Sequence, residues 1–237
     1  MKTFDGEIVD WLILFFIVLF LLLGTYERNA LWRNEVALWK DCVKKSPEKE
    51  RTHHNLGYAY HEQGRMEDAQ EAYEEALDLN PYYSLSMYNL GLIYYKKGLL
   101  DESIHHYKKA IELDPNFSDS FYNLGLAYYQ KGLYREAVDT YEKLLEIKPD
   151  YENAYVNLGL AYKGLKKWEK AIQSFQEELK SHPDNVNAYV ELGWIYKERG
   201  EVPKALTNFK KALTSQSFPR LEKVQKMVSS MEIGQTR

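Results

Sequence analysis

Tyr88-Asn89-Leu90-Gly91-Leu92-Ile93-Tyr94-Tyr95-Lys96-Lys97-Gly98 decides how the rest of the chain is read, because close copies of it return at a fixed spacing of 34 residues. Gly57, Gly91, Gly125, Gly159 and Gly193 form one row, and Leu56, Leu90, Leu124, Leu158 and Leu192 a second. Tyr60, Tyr94, Tyr128, Tyr162 and Tyr196 form a third, and Pro47, Pro81, Pro115, Pro149 and Pro183 keep the same phase. A constant period without insertions marks a solenoid, in which each unit buries its apolar face on its neighbours.

Within one period the apolar residues recur every three or four positions in two segments, which is helical spacing. Between residues 84 and 117, Met87, Leu90, Gly91 and Tyr94 share one face of a first helix, and Ile104, Tyr107, Ala110 and Ile111 share one of a second. Gly98 separates the two, since glycine enters the left-handed region at a helix end without steric cost. Gly91, Ser103 and Ala110 let the helix axes approach, and Tyr94 and Tyr107 fill the remaining space.

Leu-Gly-x-x-Tyr, then Ala, an aromatic, Ala and Pro at set intervals, resembles the tetratricopeptide repeat family. That resemblance implies an all-α right-handed superhelix of helix-turn-helix repeats at 50–83, 84–117, 118–151, 152–185 and 186–219. Departures are few. Lys166 stands at the loop glycine position with Gly164 two residues earlier, so a reshaped turn is expected there. Leu144 and Glu178 replace the second small residue of the second helix, and Ser217 stands where the fifth repeat would have its proline.

The chain has 237 residues, 45% of them hydrophobic, and a net charge of -4. That suits one solenoid with an appendage and gives no electrostatic basis for nucleic-acid binding. The appendage comes first. After a tail at 1–7, residues 8–26 are apolar except for Asp10, and such a helix, about 28 Å long, reads as a single transmembrane segment. A cleaved signal peptide is the competing reading; Asp5, Glu7 and Asp10, and the lack of a small-x-small site after Leu23, argue against it. Arg28, Arg33, Lys40, Lys44 and Lys45 follow the segment and only Lys2 precedes it, which by the positive-inside rule puts the repeats in the cytoplasm.

Residues 27–49 form a degenerate half repeat, since Trp39, Cys42 and Pro47 lie one period before Tyr73, Ala76 and Pro81. The stretch 25–57, with Thr25, Arg28-Asn29, Trp32, Glu35, Leu38-Trp39, Ser46-Pro47, Arg51 and Asn55-Leu56-Gly57, resembles a junction in O-mannosyltransferase-like membrane proteins, where the last transmembrane helix passes into the repeats. In the eukaryotic members the repeats face the lumen, opposite to the charge rule, so the side of the membrane stays open. Catalysis in those proteins belongs to a many-helix membrane part that has no counterpart in these residues. At the other end, Leu221, Val224, Val228 and Met231 share one face of a capping helix expected over 220–232, followed by a frayed tail at 233–237.

No catalytic arrangement, cofactor motif or metal set stands out. His53-His54, His61 and His105-His106 have no third ligand at fixed spacing. Glu67, Asp68, Glu71, Glu74, Glu75 and Asp78 read as a solvated face or, alternatively, a contact for a basic partner. The candidate site is a surface. By the family resemblance the first helices line a concave groove, and the residue before each Leu-Gly, namely Asn55, Asn89, Asn123 and Asn157 and then Glu191, faces it. The four carboxamides are similar to the asparagine ladder of O-GlcNAc transferase, and an amide can pair with any peptide main chain. The alternative is that each bonds to an adjacent helix. Tyr58, Tyr88, Leu92, Tyr95, Tyr122, Leu126, Tyr129, Val156, Leu160 and Trp194 occupy neighbouring groove positions and make the middle aromatic and apolar. The lysines that a carboxylate clamp needs are replaced near Tyr88 and Tyr122.

Three functions are therefore expected. The first is a non-enzymatic, membrane-tethered scaffold that holds an extended peptide of a partner protein. The second is an accessory part of a membrane glycosyltransferase system, presenting acceptor protein to a separate polytopic subunit. The third is a homo-oligomeric array.

Overall fold

A computed structural model describes residues 4–32, 34–214 and 221–235. The side chains of Ile8, Val9, Asp10, Leu31 and Leu221, and Ser217 at the proline position of the fifth repeat, lie outside what is described. The described residues form thirteen helices and fall into two compact units that meet between Leu90 and Gly91.

The first unit contains α1 (Phe4–Trp32), α2 (Glu35–Lys45), α3 (Glu50–Glu62), α4 (Met66–Leu79) and the first half of α5 (Ser84–Lys96). Asn34 opens α2 by accepting from the Ala37 amide at 3.1 Å, which satisfies one of the free donors of a helix start. Successive helices pack, α2 on α3 and α3 on α4. Their core is small and aromatic, with Ala59, Ala69, Ala72, Tyr73 and Ala76 sealed from water. His53 and His54 belong to this packing. His53 bonds Glu75 at 2.7 Å and the Pro47 carbonyl at 2.8 Å, and His54 bonds Ser86 at 3.0 Å. Burial lowers the His54 imidazole to about 4, so it stays neutral at ordinary pH.

The second unit holds the rest of α5 and α6 (Leu100–Leu113), α7 (Ser118–Gln130), α8 (Tyr134–Ile147), α9 (Ala154–Gly164), α10 (Trp168–Ser181), α11 (Val186–Glu198), α12 (Val202–Thr214) and α13 (Leu221–Gln235). Its core is a column of fully buried rings and aliphatic chains: Tyr107, Tyr141, Leu144, Phe175, Ile195 and Phe209. Each ring lies over a glycine of the preceding helix. A Cβ on Gly125 would meet the Tyr141 ring at 2.6 Å, and one on Gly159 the Phe175 ring at 2.6 Å, so only glycine permits this approach. The last helix, α13, packs on α12 with Val224 and Val228 buried, and it continues to Gln235, past the expected end at 232.

Two expectations are corrected. Lys166 does not reshape its turn: it takes φ 58, the left-handed conformation of Gly98 and Gly132 at φ 76 and 81, and the turn keeps the same hydrogen bonds. Gly164 does not replace the missing loop glycine; it clears space for Tyr134, whose ring a Cβ would meet at 2.7 Å.

The second correction concerns the transmembrane segment. A helix forms, but among the described residues none is long and apolar enough to cross a membrane. The uninterrupted apolar run from Trp11 to Leu23 is thirteen residues, about 20 Å of helix against a hydrocarbon core of about 30 Å. Every one of those side chains is exposed, Trp11 at 70% and Phe20 at 76%.

Candidate functional site

The first helices of the repeats supply the candidate surface, since positions three and four apart share a face. In the first unit Tyr58 is half exposed, while Asn55, Tyr88 and Asn89 are partly buried. In the second unit Leu92, Tyr95, Tyr122, Asn123, Leu126, Tyr129, Asn157, Leu160 and Trp194 are all partly buried. Val156 is not part of the surface: it is 4% exposed and belongs to the core. Its register matches that of Tyr122, but a short β-branched side chain does not reach past its neighbours.

The carboxamides are engaged differently from one another. Asn123 donates to the Asp119 carbonyl one turn back on its own helix at 2.9 Å. Asn157 on α9 donates to the Tyr122 hydroxyl on α7 at 3.0 Å, tying two successive first helices together. The Tyr122 ring is held from both sides. Tyr151 lies 5.0 Å away and anchors its own hydroxyl on Asp119 at 2.7 Å, and Tyr141 approaches edge-on at 6.2 Å. Burial is the main reason that the phenols of Tyr95, Tyr122 and Tyr129 are raised above the ordinary range, so all are neutral donors at physiological pH.

Toward the far end of the unit the surface becomes charged. Lys163 and Glu191 pair at 2.7 Å with both side chains half-buried. Trp194 packs edge-on against Phe209 at 5.4 Å, with the ammonium groups of Lys197 and Lys223 over its ring at 5.1 and 5.5 Å. Lys223 comes from α13, so the C-terminal helix partly covers this ring.

Sequence reasoning passed over Tyr141, Tyr151 and the Lys163–Glu191 pair. Tyr141 could have been found from its row, which reads Tyr73, Tyr107, Tyr141, Phe175 and Phe209 and so changes chemistry halfway along. Among the described residues no group of three or more His, Cys, Asp or Glu could hold a metal ion. A cleft of about 270 Å³ lined by Glu142, Tyr155, Tyr162, Lys170 and Glu177 lies apart from the surface, and it is smaller than the ~300–1,000 Å³ of most small-molecule sites.

Comparison with known proteins agrees with this architecture. A family model described as TPR repeat matches residues 57–98, 93–132 and 127–166, and one described as Tetratricopeptide repeat matches 156–219. The crystal structure of MamA is similar at 28% identity and a TM-score of 0.65, covering 67% of this chain and 93% of that one. YrrB, described as a TPR protein with an unusual peptide-binding site, is similar in fold at 20% identity and a TM-score of 0.68, covering 80% and 97%. A Protein O-mannosyl-transferase of Caenorhabditis elegans is 31% identical over 67 residues, which are 28% of this chain and 10% of that protein. This chain thus spans about a tenth of that relative's length. With the matched repeats running from 57 to 219 and the helix pairs stacked as described, the chain belongs to the tetratricopeptide repeat family.

Proposed function

We propose that the chain is a scaffold that binds an extended peptide segment of a partner protein on the first-helix face of its second unit. One observation carries the reading: Tyr95, Tyr122, Leu126, Tyr129 and Leu160 stand at groove positions without being absorbed into the core. Partly buried aromatic and aliphatic side chains beside polar groups make the kind of surface on which a few anchors dominate binding. YrrB, similar in fold, carries a peptide-binding site. MamA, at higher identity, has the same architecture.

The test is selection from an unbiased peptide library against the full chain. Selected peptides are expected to bind Tyr129→Ala and Leu160→Ala at least about tenfold more weakly, as for anchor residues worth over 1 kcal/mol each. Glu71→Ala, on an exposed face of the first unit, is expected to bind as the parent does. Equal binding by all three variants would refute the assignment of the face.

The exposed run from Trp11 to Leu23 supports a further part of the proposal, that the chain is held at a membrane. Thirteen consecutive apolar side chains facing water are unfavourable by roughly 25 cal/mol per Å² and are relieved by lipid. The likeness to part of an O-mannosyl-transferase favours, as a second reading, presentation of acceptor protein to a separate catalytic subunit. Co-purification with a polytopic membrane protein would separate that reading from the first.

A further inference from the structure

Two neighbouring hollows open beside the second helix of the last repeat. One, of about 360 Å³, lies between α10, α11 and α12 and is lined by Lys180, Tyr189, Tyr196, Asn208 and Lys211 among others. The other, of about 340 Å³, shares Tyr196 and Asn208 with it and adds Pro203, Lys204 and Thr207. Together they make one groove along α12. Lys180 is paired with Glu177 and Lys204 with Glu201, both at the surface, and the Lys211 ammonium lies over the Tyr189 ring at 5.4 Å.

The preceding repeat supplies a control. Its cleft, lined by Glu142, Tyr162, Lys170 and Glu177, occupies the same place one period earlier. There Glu142 and Glu177 stand where Gln176 and Lys211 stand in the last repeat. The form of the cleft is common to both repeats and the charge is not. An acidic segment is repelled from the earlier cleft and held by the later one.

The chain contains the complementary element. α4 carries six carboxylates and no lysine or arginine, whereas α12 carries three lysines and no carboxylate. The second helices between them, α6, α8 and α10, mix both signs. On α4, Glu67, Glu71, Glu74 and Asp78 follow at spacings of four, three and four, so they form a stripe on one face, and all four are exposed. Asp68 is paired with Arg65 and Glu75 with His53, but Glu71 and Asp78 have no ion-pair partner among the described residues. The stripe is about 16 Å long and the groove from Pro203 to Lys211 about 12 Å, so the two match in length.

We infer that this groove takes the acidic face of α4 from a second copy of the chain, with the stripe from Glu67 to Asp78 along Lys180, Lys204 and Lys211. The surface offered differs from the surface received, and every copy has one of each, so the copies join head to tail. The contact does not depend on the peptide-binding reading, because its charged groups come from second helices.

The experiment is sedimentation equilibrium of the full chain in neutral dodecyl maltoside micelles, which cover the apolar run of α1. The chain is expected to associate at about 50 mM salt, and at least about tenfold more weakly at about 0.5 M, where charges are screened over roughly 4 Å. Glu67→Lys, Glu71→Lys, Glu74→Lys and Asp78→Lys together leave both surfaces basic; Lys180→Glu, Lys204→Glu and Lys211→Glu together leave both acidic. Each variant alone is expected to stay monomeric where the parent associates, and an equal mixture to associate again, since each supplies what the other has lost. A milder variant, Glu71→Gln with Glu74→Gln, is expected to associate about threefold more weakly or less still. A parent that stays monomeric, a mixture that does not associate, or unchanged association in the milder variant would each overturn the inference. Association that survives high salt and both sets of reversals would overturn it too, and would place the contact on α1 or another surface.

Discussion

Gly125 and Tyr141 show at the scale of single residues what the repeat conserves within itself. The glycine is in the middle of α7, where alanine would be the better helix former by about 1 kcal/mol. It is nevertheless required, because an added Cβ would meet the ring edge of Tyr141 at 2.6 Å and that ring is fully enclosed. Overpacking a closed core costs about 1–3 kcal/mol, which outweighs the gain in propensity. Gly125→Ala is therefore expected to destabilise by about 1–2 kcal/mol, read as a lower urea midpoint at an unchanged slope. A midpoint at or above that of the parent would show that the ring can move. The glycine row and its facing aromatics are legible in the sequence as a small-to-large pattern. Legibility stops at the polar atoms. The register that places Asn123 and Asn157 at equivalent positions cannot tell that one bonds its own helix and the other a tyrosine of the neighbouring helix. That choice depends on what happens to stand one period away.

At the scale of elements, the fourth repeat absorbs several substitutions without losing its helix pair. Lys166 is held at φ 58 by a turn whose hydrogen bonds are the same as those around Gly132. A side chain in that conformation costs about 1–2 kcal/mol, and glycine would return part of this through greater freedom when unfolded. Lys166→Gly is expected to stabilise by about 0.5–1 kcal/mol, measured as a higher thermal midpoint. A loss of stability would mean that the lysine side chain makes a contact worth more than the strain. Glu178, at a position where the first, second and fifth repeats have alanine and the third has Leu144, is fully buried and accepts from Asn185 at 2.9 Å. The Asn153 amide points to the same carboxylate at 3.4 Å, and Asn153 itself is left-handed at φ 62, so α9 starts at Ala154. The sequence identifies each of these residues as a departure. It does not tell how the backbone responds, because the response is set by hydrogen bonds to a residue some 25 positions away.

At the scale of the whole molecule, the repeats are followed by a helix that covers the last of them and preceded by one whose described apolar side chains are exposed. If lipid covers that first helix, the expressed chain should stay with membranes through carbonate extraction, and deletion of residues 1–26 should release it. A full chain found in the soluble fraction without detergent would refute the membrane part of the proposal. Here composition misled in one respect. An apolar stretch with a single acidic residue reads as a span of nineteen positions, but the uninterrupted run is shorter and gives only about two thirds of the needed thickness.

The sequence by itself determined the helix pairs, their 34-residue period, the row of small residues that lets the helices approach and the rows of residues that share a face. These follow from local periodicity repeated five times, so each copy checks the others. Only the tertiary structure decided which of the equivalent positions remain open, with Val156 sealed in the core and Trp194 partly covered by Lys223. It also decided that the Tyr141 hydroxyl is buried with no hydrogen-bond partner among the described residues. The physical reason is that a repeat specifies the same place for each side chain, whereas burial and hydrogen bonding depend on the neighbouring repeats and the terminal helix, which differ from copy to copy.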